Sequence, residues 1–253
     1  RMYCDRHSGA HWTPHDHQRR WEEVRERGAR DPVYEPEAYF AMAREVVAEG
    51  YTAVKFDLDV PNPWKLDKYD RSISRRQHRH IIDTIEGLRD AIGPDVDLSI
   101  DLHGSFNMAD GLRICKDVEH LDLLWLEDPV RWEWGNVDAL AKICQQTETP
   151  ICTGEDIYLK EGFRELIERR AVAVIHPDLA TSGGILDTKK IGDLAQEHGI
   201  AMALHMAMSP IAALASVHCA AATENFMVLE NHSVDELERW SSLVDGLPRP
   251  LVE

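Results

Sequence analysis

The strongest constraint on this 253-residue chain is a rhythm. From about residue 50 onward, short β-branched or apolar runs alternate with longer amphipathic stretches, and that alternation marks repeated βα units around a parallel sheet. The runs are TAVKFDL, VDLSID, LDLLWLED, TPICTGED, VAVIHPD, IAMALH and NFMVLE. Each is short enough for a buried strand and ends in or near polar or acidic residues. RMYC at the amino terminus supplies an eighth strand. Helices are predicted between them over Glu35–Gly50, Ser74–Ile92, Asn107–His120, Val137–Gln146, Leu159–Arg169, Gly183–His198 and Pro210–Thr223. Eight strands close a barrel, and about 250 residues is the usual size of one in a single domain. The expected fold class is α/β, a TIM-type (β/α)7β barrel spanning residues 1–253 as one domain. Two long connections, roughly Asp5–Tyr34 and Val60–Ser72, read either as loops over a site or as solvated insertions or oligomer contacts.

Composition narrows the partners. Lys plus Arg number 28 against 45 Asp plus Glu, a formal charge of −17 that repels nucleic acid and anionic membranes at long range. No apolar run approaches the roughly 18 residues of a membrane span. The five cysteines, Cys4, Cys115, Cys144, Cys152 and Cys219, are odd in number and form no C-x-x-C pair, which argues against a disulfide framework or a zinc ribbon. With no apolar leader at the amino terminus, a cytoplasmic location is expected. An acidic substrate stays compatible with this charge, because a bound divalent cation reverses the local potential.

In a parallel barrel the side chains at the strand carboxyl ends face one shared mouth. Here those residues are Lys55 and Asp57, Asp101 and His103, then Glu127, Glu155, Asp178, His205 and Glu230, one group per successive strand. Asp101, Glu127 and Glu155 are separated by 26 and 28 residues, one βα period each, so they can converge as hard oxygen ligands. Such a set favours Mg²⁺. Taken singly, each acid reads equally well as a helix cap or loop carboxylate.

The set SIDLHG, LEDP, TGED, HPDLATSGGI, ALHMAMSP and VLENHS, in that order and at βα spacing, resembles the barrel of the mandelate racemase branch of the enolase superfamily. The resemblance covers most of residues 50–233 and implies that Asp101, Glu127 and Glu155 hold Mg²⁺. It implies further that Asp178 and His205 form a base dyad in which the carboxylate fixes the imidazole tautomer. His103, in a D-x-H-G run, is similar to the histidine that protonates the departing hydroxyl in sugar-acid dehydratases of the galactonate type; the alternative is a hydrogen bond behind the metal. Its place two residues after Asp101 is expected to aim it at the site through strand alternation.

Where racemases of this branch carry K-x-K, this chain has Lys55-Phe56-Asp57. The second base is missing, which disfavours two-base racemisation. Lys55 then either polarises a substrate carboxylate or serves as an ion-pair partner. Asp57 lines the substrate side with it. Glu230 lies near the substrate carboxylate, as a hydrogen-bond donor if protonated or a lysine partner if ionised, and Asn231 and His232 extend that wall.

These assignments imply an Mg²⁺-dependent dehydratase that converts a sugar acid to a 2-keto-3-deoxy acid. An epimerase of the same superfamily and a barrel without turnover are the other two readings. Relatives of this kind close the pocket with a capping domain, so the chain is expected to be the catalytic part of a longer one, assembling as a homo-oligomer. Trp125, Trp132 and Trp134 flank LEDP and read as packing rather than a ligand platform; His11, His15 and His17, in the loop after the first strand, read either as a polar solvated loop or as contacts to substrate or an adventitious metal.

Overall fold

A computed structural model describes residues 2–4, 35–59, 71–131, 136–207, 209–231 and 243–246. Asp5–Tyr34, positions 60–70 of the second long connection, Trp132, Trp134 and His232 lie outside the described residues, as do His11, His15 and His17.

The strands are β1 (Met2–Cys4), β2 (Ala53–Asp57), β3 (Asp97–Asp101), β4 (Trp125–Glu127), β5 (Ile151–Thr153), β6 (Val174–Ile175), β7 (Ala201–Leu204) and β8 (Phe226–Asn231). All pair in parallel in chain order, and β1 pairs with both β2 and β8, closing the sheet into a barrel. The helices between them are α1 (Pro36–Ala48), α2 (Arg75–Ile92), α3 (Met108–Asp117), α4 (Val137–Gln146), α5 (Leu159–Glu168), α6 (Gly184–Glu197) and α7 (Pro210–Ala221).

Strand alternation splits the apolar residues into two cores. Val54, Phe56, Leu98, Ile100, Leu126, Ile151, Ile175, Met202 and Leu204 point outward and pack against the helices with Ile81, Ile85, Leu88, Leu140, Phe163 and Ile191. Ala53, Trp125, Cys152, Val174 and Ala203 point inward and plug the lumen. Each fully buried large aliphatic or aromatic side chain contributes about 1.5–3 kcal/mol. The lumen plug matters most for function, because the polar residues one step further along the same strand faces rest on it.

Local signals fix the helix starts. The Ser74 hydroxyl accepts from the Gln77 N–H, Asn107 Oδ1 accepts from the N–H groups of Ala109 and Asp110, and Ser209 accepts from Ala212 with Pro210 opening the helix. The run predicted to be helical to His120 is interrupted. Helix α3 ends at Asp117, and a separate 3-10 turn, Glu119–Leu121, leads through Asp122 in the left-handed region (φ 50°) into β4. No helix among the described residues is long and apolar enough to cross a membrane.

Candidate active site

Register brings the acids together before any side chain is considered. Asp57 on β2 pairs with Asp101 on β3, and Asp101 with Glu127 on β4, so three strand-end carboxylates stand in one row. Glu155 lies two residues beyond β5, carried past Gly154, which has φ 145° and leaves a Cβ only 3.0 Å from the His176 backbone. One carboxylate oxygen from each of Asp101, Glu127 and Glu155 lies within 4.8 Å of the others.

The hydrogen bonds around this trio suit a cation. Glu127 is fully buried, and its Oε2 accepts from Lys55 Nζ at 2.9 Å and from the Trp125 indole at 3.0 Å. Its Oε1 accepts no hydrogen bond from the described residues and has His176 Nε2 at 3.5 Å. A buried carboxylate oxygen left this way costs free energy unless something positive meets it. Burial and the neighbouring Asp101 charge push the Glu127 carboxyl above its usual range. For Asp101, burial opposes ionisation but is outweighed by His103, Lys55 and the His103 N–H, so its carboxyl is lowered. The donor set, hard oxygens on three adjacent strands, fits a divalent cation such as Mg²⁺.

Lys55 is almost fully buried and serves three acids at once: Asp101 Oδ2 at 3.1 Å, Glu127 Oε2 at 2.9 Å and Glu230 Oε1 at 2.5 Å. Of its two expected roles, the geometry favours ion pairing with protein carboxylates. Burial disfavours charge on Glu230, yet Lys55, His176 and His205 hold its carboxyl well below the usual range. With Lys55 Nζ and His176 Nε2 both at its Oε1, the geometry favours a partner for cations over a hydrogen-bond donor. Asp57 is buried, with Oδ2 3.9 Å from His103 Nε2.

The dyad is formed. The segments just beyond β6 and β7 meet in a parallel bridge between Asp178 and His205, and His205 Nδ1 lies 2.7 Å from Asp178 Oδ2. Asp178 Oδ1 accepts from the Ala180 N–H at 2.6 Å, which fixes the carboxylate in turn. His205 Nε2 lies 3.1 Å from Glu155 Oε2. Burial lowers the imidazole, but Glu155, Glu230 and the Asp178 bond raise it to about 10. Neutralising the neighbouring carboxylates would therefore free the ring to accept a proton.

His103 reaches the mouth by a route different from strand alternation. Strand β3 ends at Asp101, and His103 (φ 43°) and Gly104 (φ 60°) form a left-handed turn in which the His103 N–H donates to Asp101 Oδ1 at 2.8 Å. Glycine is required at the second position, since a Cβ on Gly104 would lie 2.6 Å from Arg131 Cγ and 3.0 Å from its Cα. His103 Nδ1 lies 2.9 Å from Asp59 Oδ1, and Nε2 lies 3.5 Å from Asp101 Oδ2.

Three residues of this site were not singled out from sequence. His176 is completely buried beneath the mouth, with Nε2 3.0 Å from Glu230 Oε1 and its ring edge-on to His205 at 5.5 Å. Its signal was a polar residue directly after the buried pair Val174–Ile175. Asp59 was signalled by the period-two acids of Lys55–Asp59. Asp128, bonded by the Thr153 hydroxyl, is pushed well above the usual carboxylate range by burial and by Asp101, Glu155 and Glu127. Trp125 packs in the lumen as expected and also donates to Glu127.

Residues 38–250 match the family described as enolase C-terminal domain-like. The chain belongs to this family. It is 40% identical over 211 residues to a D-xylonate dehydratase of Haloferax volcanii, covering 83% of this chain and 50% of that relative. It is 29% identical over 197 residues to a D-gluconate/D-galactonate dehydratase of Picrophilus torridus, covering 78% of this chain and 48% of the relative. Among solved structures, a mandelate racemase/muconate lactonizing enzyme-like protein from Rubrobacter xylanophilus is similar with a TM-score of 0.78 and 39% identity, over 84% of this chain and 54% of that one. The chain spans about half the length of the curated relatives it matches. As a member of this family it belongs to the enolase superfamily, with neighbours in the mandelate racemase branch.

Proposed function

We propose that this chain is the single-domain (β/α)7β barrel of an Mg²⁺-dependent sugar-acid dehydratase, acting on an aldonate or aldarate. The observation that carries the reading is the placement of two imidazoles against one carboxylate trio. His205 Nε2 stands 3.1 Å from Glu155, and His103 Nε2 stands 3.5 Å from Asp101. One proton-accepting and one proton-donating group are what a syn- or anti-elimination next to a carboxylate requires. The dehydratase relatives support the same reaction class.

In this reading Asp101, Glu127 and Glu155 hold the cation, whose chemistry when bound is to polarise the substrate carboxylate and offset the negative charge that develops on it. His205 Nε2 takes the proton on the carbon next to the carboxylate, and Asp178 stabilises the imidazolium through Nδ1–H. The electron pair of that C–H bond is first held by the substrate carboxylate as an enediolate, and in a second step it forms the carbon–carbon double bond as the C–O bond to the neighbouring hydroxyl breaks. His103 Nε2–H gives its proton to that oxygen, which leaves as water. The enol tautomerises to a 2-keto-3-deoxy acid. Lys55 and Glu230 keep the acids in place from below, while Asp57 faces the leaving group beside His103.

Incubating the full-length Mg²⁺-loaded protein with a panel of aldonates and aldarates and assaying for keto acid tests this. Keto acid from at least one member is expected. Proton exchange or epimer formation with no keto acid from any member would replace the dehydratase by an epimerase.

A further inference from the structure

We propose that Asp59, held by Ser105, is a positioning residue that turns His103 into a second carboxylate-oriented acid–base group, built like the Asp178–His205 pair on the other side of the metal ligands. The proposal rests on the dehydratase reading and deepens it.

Asp59 lies two residues past the end of β2, and both of its oxygens are engaged at the mouth. Oδ1 is 2.9 Å from His103 Nδ1 and Oδ2 accepts from the Ser105 hydroxyl at 2.9 Å. A carboxylate so held cannot swing away from the ring. Because an ionised carboxylate only accepts hydrogen bonds, Nδ1 must carry a hydrogen. That leaves Nε2 as the atom through which His103 exchanges protons with a substrate, and Nε2 faces Asp101 Oδ2 at 3.5 Å and Asp57 Oδ2 at 3.9 Å. The backbone is restrained as well, through the left-handed φ of 43° and the N–H bond to Asp101 Oδ1.

The parallel with the other imidazole is close. His205 also offers Nδ1 to a carboxylate, Asp178, whose second oxygen is held by the Ala180 N–H, and also directs Nε2 at a metal-site acid. Each ring is thus fixed from behind by an acid that is itself fixed. The two differ in which step they serve, so Asp59 controls the elimination half of the reaction and leaves proton abstraction to Asp178 and His205.

The test compares Asp59→Asn with the wild-type full-length Mg²⁺-loaded protein on a sugar acid that the wild type dehydrates. An amide can present N–H to Nδ1 and favour the opposite tautomer, so kcat for keto-acid formation is expected to fall by about 10- to 100-fold. Exchange of the α-proton into D2O should stay within about twofold, since the Asp178–His205 pair is unaltered. Asp59→Glu should restore part of the lost rate. In parallel, long-range 1H–15N spectra of the metal-free protein should show His103 protonated at Nδ1 in the wild type and shifted toward the other tautomer in Asp59→Asn, with His205 signals unchanged. If Asp59→Asn does not fold, Ser105→Ala, which releases one carboxylate oxygen, should give a smaller loss of the same kind. Unchanged keto-acid formation, an equal loss of exchange and elimination, or an unmoved His103 tautomer would each overturn the proposal. Absence of keto acid from the wild type would instead defeat the dehydratase reading, while the tautomer spectra would still decide what Asp59 does to His103.

Discussion

Lys55 and Glu230 meet at 2.5 Å on the floor of the barrel mouth, 175 residues apart in sequence and both shut off from solvent. Lys55 also neutralises Asp101 and Glu127, so its removal leaves three buried acids facing one another. Breaking a buried pair by deleting one partner costs about 3–5 kcal/mol. Lys55→Met should therefore lower stability by about that much, read from urea denaturation at neutral pH. A loss below about 1 kcal/mol would show that these acids do not depend on the lysine.

Glu127 offers a prediction about metal affinity. Its Oε2 is anchored by Lys55 and Trp125 while Oε1 accepts no hydrogen bond from the described residues. Glu127→Gln should weaken Mg²⁺ binding by more than the 10–100-fold typical of losing an outer partner, roughly 100-fold or beyond, in calorimetric titration. Retained affinity would move the cation to another of the acidic groupings.

Asp178→Asn should act on a different step from Asp59→Asn. Because Asp178 orients His205, both α-proton exchange and keto-acid formation should fall together, by about 10²–10⁴-fold. Deuterium incorporation followed by NMR measures the first, and a keto-acid assay the second. Loss of keto acid with exchange intact would reassign the base.

Much of the fold was legible because the strands carry their own punctuation: apolar residues, then a polar or acidic residue at the carboxyl end, with Ser74, Asn107 and Ser209 capping three of the helices. The row Asp57, Asp101 and Glu127 follows from register once the strands are placed, and the Asp178–His205 pairing could be anticipated from its family resemblance. The role of Lys55 was less legible, since its spacing is the same whether it faces substrate or protein acids and only the packed lumen decides. His103 was expected at the site for an incomplete reason: strand alternation stops at Asp101, and the left-handed turn at His103–Gly104 does the rest. Asp59 and His176 were hidden because their partners, Ser105 and Glu230, are distant in sequence.

The thiols give a prediction about alkaline stability. Cys144 donates to the Ala171 carbonyl at 3.0 Å, and burial pushes its thiol up to about 12. Burial raises Cys115 likewise. An unfolded thiol titrates near about 8.5. Above that value the unfolded chain loses protons that the folded protein keeps, so stability present at pH 8 is lost as pH rises toward 12. The urea midpoint should fall between pH 8 and pH 11, and Cys144→Ala should show a shallower fall. An equal slope in the variant would remove Cys144 from the explanation.

Strand β1 is the seam at which β8 joins β2, and the Lys55–Glu230 contact lies across it. No contiguous stretch of the chain holds both partners without nearly the whole sheet between them. Pairing of β8 with β1 is therefore the contact that brings Glu230 to the cluster, and a chain with that seam open would keep Lys55 beside Asp101 and Glu127 and leave Glu230 without it. Catalytic competence and seam closure should appear together in time when the protein refolds, with activity serving as the reporter of topological completion.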